Sequence, residues 1–324
     1  MGHLIDGVWD KGWYTPDAEG RFERPPTVFR GGLPDGGVTE PGRFHLYAAY
    51  ACPWAHRVLI TRALKGLEHA VPVSVVGPRM GDDGWAFGGF DGATDDHLHG
   101  ARLLRDVYLR ARPRYTGRVT VPALWDTHAG TIVNNESREV MRLLDTGFDA
   151  LARHAVTLYP AALRARIDET IDALYEPVNN GVYRAGFATT QEAYEAACRD
   201  LFIALEHWDA VLARQRYLCG EALTAADVCL FTTLLRFDPV YHGHFKCNLR
   251  RVRDYPNLWG FVRDVFQTPG VADTCRLDHI KTHYYWSHPH INPTRIVPLG
   301  PELDLREAHD RGRLGPAGPS ALDR

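Results

Sequence analysis

The stretch from Arg43 to Gly77 constrains this chain more than any other. Residues 43–50 (RFHLYAAY) are aromatic and apolar and fit a short buried strand ending just before Cys52-Pro53. Val58, Leu59, Ala63 and Leu64 then recur at helical spacing. Arg57, Arg62 and Lys65 point elsewhere, and Gly66 is the expected stop. The next run, HAVPVSVVG, reads as a second strand. Strand, helix and strand in one short span make a βαβ unit, which implies a parallel pair joined by a right-handed crossover.

The rest of the chain divides around that unit. Residues 1–42 read as an irregular leader, Gly- and Pro-rich from Thr27 to Gly42. The polar stretch spanning 77–117 is too long for a simple connection and reads as an insertion serving the site. Arg118 to Asp126 (RVTVPALWD) and Thr131 to Val133 suggest an antiparallel hairpin, and Asn134 to Leu144 a capped helix. The α/β domain therefore covers 43–150. From about Leu163 the pattern is helical almost throughout, giving an all-helical domain over 151–291. The tail, 292–324, is rich in Pro, Gly and charge, and is expected to wrap the surface or to be partly disordered.

Composition excludes several classes of function. The 324 residues, 45% hydrophobic and 24% charged, suffice for two domains with cores. With 37 Lys and Arg against 40 Asp and Glu the net charge is -3, without the basic excess of a nucleic-acid binder. No run approaches the ~20 apolar residues of a membrane helix. The start lacks a basic segment followed by an apolar one, so cytoplasm is the expected location. The six cysteines (Cys52, Cys198, Cys219, Cys229, Cys247 and Cys275) show no close pairs of the kind that bind zinc or build a disulfide scaffold, and read as separate thiols.

Cys52 stands between a strand and the first turn of a helix, with Pro53 at the helical position that best tolerates proline. Its sulfur would face the unpaired N–H groups of the helix start, which favour a thiolate; the bland alternative is a small buried hydrophobe. Position 55 is alanine, so Cys52 has no resolving partner within a Cys-x-x-Cys motif, and its chemistry is a mixed disulfide opened by a second small thiol. Val121-Pro122 at a strand start suits a cis bond that turns backbone groups towards the Cys52 sulfur. Glu136-Ser137 opens the next helix, where N–H groups and the Ser137 hydroxyl suit a carboxylate and Glu136 an ammonium. A γ-glutamyl group carries both charges. His279 and His283, four apart, read as structural histidines, and no metal is expected. Thr224-Ala-Ala-Asp227 is a helix-start box assigned to folding. Cys198, Cys219, Cys229 and Cys275 read as packing residues, and Cys247 has no evident chemistry.

The motifs CPWAHR, RVTVPALWD, IVNNES, NNGVYRAGFATTQ, LTAADVCLF, FDPVYHGHFKCN, DYPNLW and HIKTHYYWSH with INPT run from about Leu4 to Pro301. The chain resembles the glutathionyl-hydroquinone reductases, the xi class of glutathione transferases. The resemblance implies a thioredoxin-like N-terminal α/β domain followed by an all-α glutathione-transferase C-terminal domain. It also implies a reaction in which a cysteine takes glutathione from a glutathionyl-hydroquinone and a second glutathione regenerates the thiol. Position by position, Cys52 matches the nucleophile. Trp85, Arg118, Val121, Glu136 and Ser137 match the glutathione-binding positions, Val121 through its backbone. Tyr183, Tyr241 and Tyr284 match the lining of the aromatic substrate position, with a tyrosine assisting protonation of the leaving carbon. The expected partners are glutathione and an aromatic hydroquinone conjugate, in a homodimer without bound cofactor or metal; another low-molecular-weight thiol stands as the alternative co-substrate. No site residue is assigned within 91–105. The rival readings are a glutaredoxin-like deglutathionylase or dehydroascorbate reductase, which needs Cys52 but not the three tyrosines, and a non-catalytic binding module, which needs neither.

Overall fold

Residues 3–10 are not irregular. β1 (His3–Ile5) and β2 (Val8–Asp10) form a hairpin in which Ile5 faces Val8 across Asp6-Gly7. Asp6 and Gly7 both take positive φ, 50° and 82°, as a two-residue turn matched to strand twist requires. The computed structural model describes residues 2–322. Packing divides them into two units, the first made of 2–13, 25–155 and 274–297, the second of 14–24, 156–273 and 298–322.

In the first unit, β3 (Phe44–Ala48) is buried along its whole length, as expected of a central strand covered on both faces. It leads into α1 (Pro53–Leu64) and pairs in parallel with β4 (Val73–Val75), the predicted βαβ unit. The insertion carries α2 (Leu104–Ala111). The single strand expected over 118–126 is divided. β5 (Gly117–Arg118) joins β1 in a small sheet, while β6 (Ala123–Asp126) pairs with β3 and with β7 (Thr131–Asn134). Between them lies the cis Val121–Pro122 bond, and Pro122 has no N–H to give to a ladder. The main sheet runs β4-β3-β6-β7. The next helix, α3 (Ser137–Gly147), starts three residues later than expected, because Asn134 still belongs to β7 and Glu136 is the cap.

α1 departs from the one-sided helix its spacing predicts, since nine of its twelve residues are buried and Arg57 is among them. Lys65, just past its end, is buried as well and pairs with Asp149 at 2.5 Å and Asp145 at 3.8 Å. A buried ammonium is tolerable because these carboxylates face it.

The second unit contains β8 (Val156–Thr157), α4 (Arg164–Leu174), α5 (Gly181–Gly186), α6 (Gln191–Leu212), α7 (Ala225–Arg236), α8 (Pro256–Gln267) and β9 (Ser320–Ala321). α4 and α7 each run into a wide π turn, over Tyr175–Asn179 and Phe237–Tyr241, closed by Asn180 N–H to Tyr175 C=O and His242 N–H to Phe237 C=O, both 2.8 Å. Each turn has proline at its third position, which removes a helical donor and forces the ladder to widen. α7 is buried all round and opens with the expected capping box of Thr224 and Asp227.

The tail is tied in more firmly than its composition predicts. β9 pairs with β8, and buried Arg311 donates to the carbonyls of Leu212, Gln215 and Arg216, each at 2.7 Å, at the C-terminal end of α6. A guanidinium there satisfies orphan carbonyls and meets the negative end of the helix dipole. Packing also assigns α9 (Leu277–Ser287), placed by sequence pattern with the helical domain, to the first unit. No helix among the described residues is long and apolar enough to cross a membrane.

Candidate active site

The first unit gathers most of the expected site residues at the ends of its elements. Cys52 is the N-cap residue of α1, with extended backbone (φ -80°, ψ 122°) and Pro53 in the first turn. Its carbonyl accepts the first helical bond, from His56 N–H at 2.9 Å. Half-buried, its thiol reaches across to the Val121 carbonyl at 3.5 Å. β3 thus delivers the sulfur and the segment before β6 delivers the backbone facing it.

The start of α3 is fixed by side chains before it. Asn134 Oδ1 accepts from Glu136 N–H at 2.8 Å, and Asn135 bonds the Phe29 N–H at 3.0 Å and the Tyr108 hydroxyl at 3.1 Å. Glu136 accepts from Arg138 N–H at 3.4 Å and from the Thr27 hydroxyl at 3.2 Å. Ser137 is buried, and its Oγ accepts from Arg57 of α1 at 3.5 Å. Arg118 gives two N–H groups to the Gly12 and Trp13 carbonyls at 2.9 and 2.8 Å, anchoring the segment after β2.

Trp85, in the insertion, stacks on His283 of α9 with ring centroids 4.7 Å apart and an 18° tilt. His283 Nδ1 lies 3.0 Å from the Pro78 carbonyl; a carbonyl only accepts, so that nitrogen carries the proton. The neighbouring Tyr284 is buried and meets the His283 and His288 rings edge-on. α9 therefore holds Trp85 and Tyr284 together. Tyr183 and Tyr241 form a pair of their own in the second unit, with centroids 6.0 Å apart. Phe245 packs against both, and the Arg24 guanidinium lies 4.7 Å over the Tyr183 ring. Tyr241 ends the second π turn and Tyr183 follows the first, so both prolines help to place them.

Of the cysteines and histidines read as structural, one behaves differently. Cys275, read as packing, is only half-buried, with its sulfur 3.8 Å from His56 Nε2. Burial pushes the thiols of Cys198, Cys219 and Cys247 up, which suits inert core cysteines. His279 turns its ring to the Asp91 carbonyl at 2.6 Å, and burial lowers its proton affinity. Among the described residues no three His, Cys, Asp or Glu side chains are grouped as metal ligands. Thr27 escaped the sequence reading, His283 was read only as a structural histidine, and Arg57 only as a charge off the apolar face of its helix, although it lies inside the CPWAHR motif.

A thioredoxin-like unit with a Cys-Pro helix start facing a cis-Pro strand, followed in the chain by a mainly helical unit whose one small sheet is the β8–β9 pair, defines a glutathione transferase. The N-terminal domain model of the glutathione S-transferases matches residues 51–146 and the C-terminal domain model residues 191–264. Glutathionyl-hydroquinone reductase YqjG of Escherichia coli is 51% identical, over 96% of this chain and 98% of its own. Its glutathione-bound structure superposes with a TM-score of 0.88, at 49% identity over 96% of this chain and 99% of that one. Glutathionyl-hydroquinone reductase PcpF of Sphingobium chlorophenolicum is 53% identical over 94% and 98%. A xi-class transferase of Natrialba magadii reaches a TM-score of 0.92 at 53% identity over 98% of both chains. The chain belongs to the xi class of glutathione transferases, the family of the glutathionyl-hydroquinone reductases.

Proposed function

We propose that Cys52 is the nucleophile through which this enzyme, a glutathionyl-hydroquinone reductase, removes glutathione from hydroquinone conjugates. The thiolate attacks the conjugate's sulfur, forming the Cys52–glutathione disulfide as the aryl carbon–sulfur bond breaks. The electron pair of that bond goes to the ring carbon, which takes a proton, and hydroquinone leaves. A second glutathione attacks the bound glutathionyl sulfur, giving glutathione disulfide and free Cys52. The net reaction transfers two electrons from two thiols to the aryl carbon.

The observation that carries this reading is the placement of Cys52 at the α1 N-cap with Val121 opposite. Partial positive charge at the helix start stabilises a thiolate. We assign Trp85, Arg118, the Val121 backbone, Glu136 and Ser137 to glutathione. Tyr183, Tyr241 and Tyr284 are assigned to the hydroquinone ring, with Tyr183 and Tyr284 supplying the hydroxyls that help protonate the leaving carbon. Glutathione is the co-substrate, and no other cofactor is assigned. A homodimer working in the cytoplasm on quinone conjugates completes the proposal.

Mass spectrometry of the protein incubated with a glutathionyl-hydroquinone tests it. A glutathione adduct on Cys52 with stoichiometric hydroquinone, both absent in Cys52→Ala, is the expected result; release without an adduct on Cys52 would overturn the assignment.

A further inference from the structure

One cation in the first unit has no counter-charge. Arg57 lies in α1 five residues after Cys52 and is 2% exposed, yet no carboxylate among the described residues lies within ion-pair distance of it. Its guanidinium packs over the Trp54 ring at 4.4 Å, donates to Ser137 Oγ at 3.5 Å, and leaves Nε without an acceptor. Lys65, the other buried cation of this segment, has Asp145 and Asp149. A buried cation paired by neither carboxylate nor full hydrogen bonding is costly, and an arriving anion removes that cost.

Resting on the reading of this site as glutathione-binding, we infer that Arg57 selects for the carboxylate of the γ-glutamyl group, acting through Ser137. A serine hydroxyl has one proton and two acceptor lone pairs. Because Arg57 fills a lone pair of Ser137 Oγ, the serine proton is left to donate outward, and the charge behind it strengthens that bond to an anion. Arg57 is a positioning residue: it sets which thiol is accepted and leaves the sulfur chemistry to Cys52.

The test compares binding of three thiols to the full-length protein by calorimetry: glutathione, its glutamyl α-amide, and cysteinylglycine, which lacks the glutamyl group. Wild type is expected to bind glutathione at least tenfold more tightly than either. In Arg57→Met the gap between glutathione and its α-amide should fall below threefold, with KM for glutathione raised and kcat at saturation changed less than twofold. Arg57→Lys should keep part of the gap. A purely structural role for Arg57 would weaken acid and amide equally, so a gap still tenfold in Arg57→Met overturns the inference. Should Arg57→Met fail to fold, Arg57→Gln, which keeps a donor to Ser137 without the charge, is read by the same criterion. Failure of the site reading looks different, because wild type itself would then bind glutathione no better than cysteinylglycine.

Discussion

α1 and α7 begin in opposite ways. At α7 the chain closes its own helix start. Asp227 accepts from Thr224 N–H and hydroxyl, both at 2.8 Å, and from Leu218 N–H at 2.7 Å, and Thr224 and Asp227 are fully buried. At α1 the cap position holds Cys52, half-buried, whose side chain makes no capping bond to its own helix and whose thiol donates to the Val121 carbonyl. A capping box spends the helix's electrostatic end on folding. A cysteine there spends little on folding and keeps that end for a thiolate. On the proposed reading, the same backbone geometry serves stability in one unit and chemistry in the other, and the cap residue decides which.

Exchanging these roles by mutation tests the contrast most severely. Cys52→Ala should lower the rate of hydroquinone release by about 10³-fold or more while leaving the melting temperature nearly unchanged. Asp227→Ala should do the reverse. It strips three donors of a buried acceptor, costing about 2–4 kcal/mol and several degrees of melting temperature, with turnover per folded molecule preserved at low temperature. Thermal melts and steady-state rates on both variants decide it; a Cys52→Ala protein as destabilised as Asp227→Ala would make α1's start another structural cap.

Tyr284→Phe sharpens the same division within the site. A tyrosine that helps protonate the leaving carbon is worth about 10²-fold. Hydroquinone release should fall by that factor while reduction of a small glutathionyl disulfide, whose leaving group is sulfur, persists. Equal loss of both activities would mean that Tyr284 merely packs α9 against the His283 and His288 rings.

The α1 start was legible because strand, Cys-Pro and helix follow one another in sequence, and the α7 box because Thr and Asp stand at fixed spacing. The β1–β2 hairpin was equally local, an Asp-Gly turn between HLI and VWD, but it was hidden by the Gly- and Pro-rich residues that follow it. What sequence could not supply was long-range compensation. Arg57 and Lys65 read as solvent-facing because they are charged, and their burial depends on Trp54 and Ser137 in one case and Asp145 and Asp149 in the other. Arg311 was lost in a tail of disordered composition because its three carbonyl partners lie about a hundred residues away. The stack of Trp85 on His283 joins positions nearly two hundred residues apart, and periodicity carries no trace of it.

The two units also differ in how burial sets their response to acid. In the first, His45 is held below its ordinary value, to about 4, by desolvation. The folded state refuses a proton that the unfolded chain accepts, so this contribution is full above about pH 6.5 and is lost as pH falls towards 4. In the second, desolvation pushes Asp227 up to about 6 in spite of its hydrogen bonds. Here the folded state holds a proton that the unfolded chain has released, so the contribution is full below about pH 4 and is lost as pH rises through 6. Between pH 4 and 6.5 the slopes oppose, and the melting temperature of the wild type should change little on their account. Asp227→Asn removes one slope, so its melting temperature should climb more steeply from pH 4.5 to 6.5 than that of the wild type. His45→Gln should tilt the profile the other way. Melts at three pH values in that window measure both, and parallel profiles for all three proteins would show that neither buried group changes its protonation on folding.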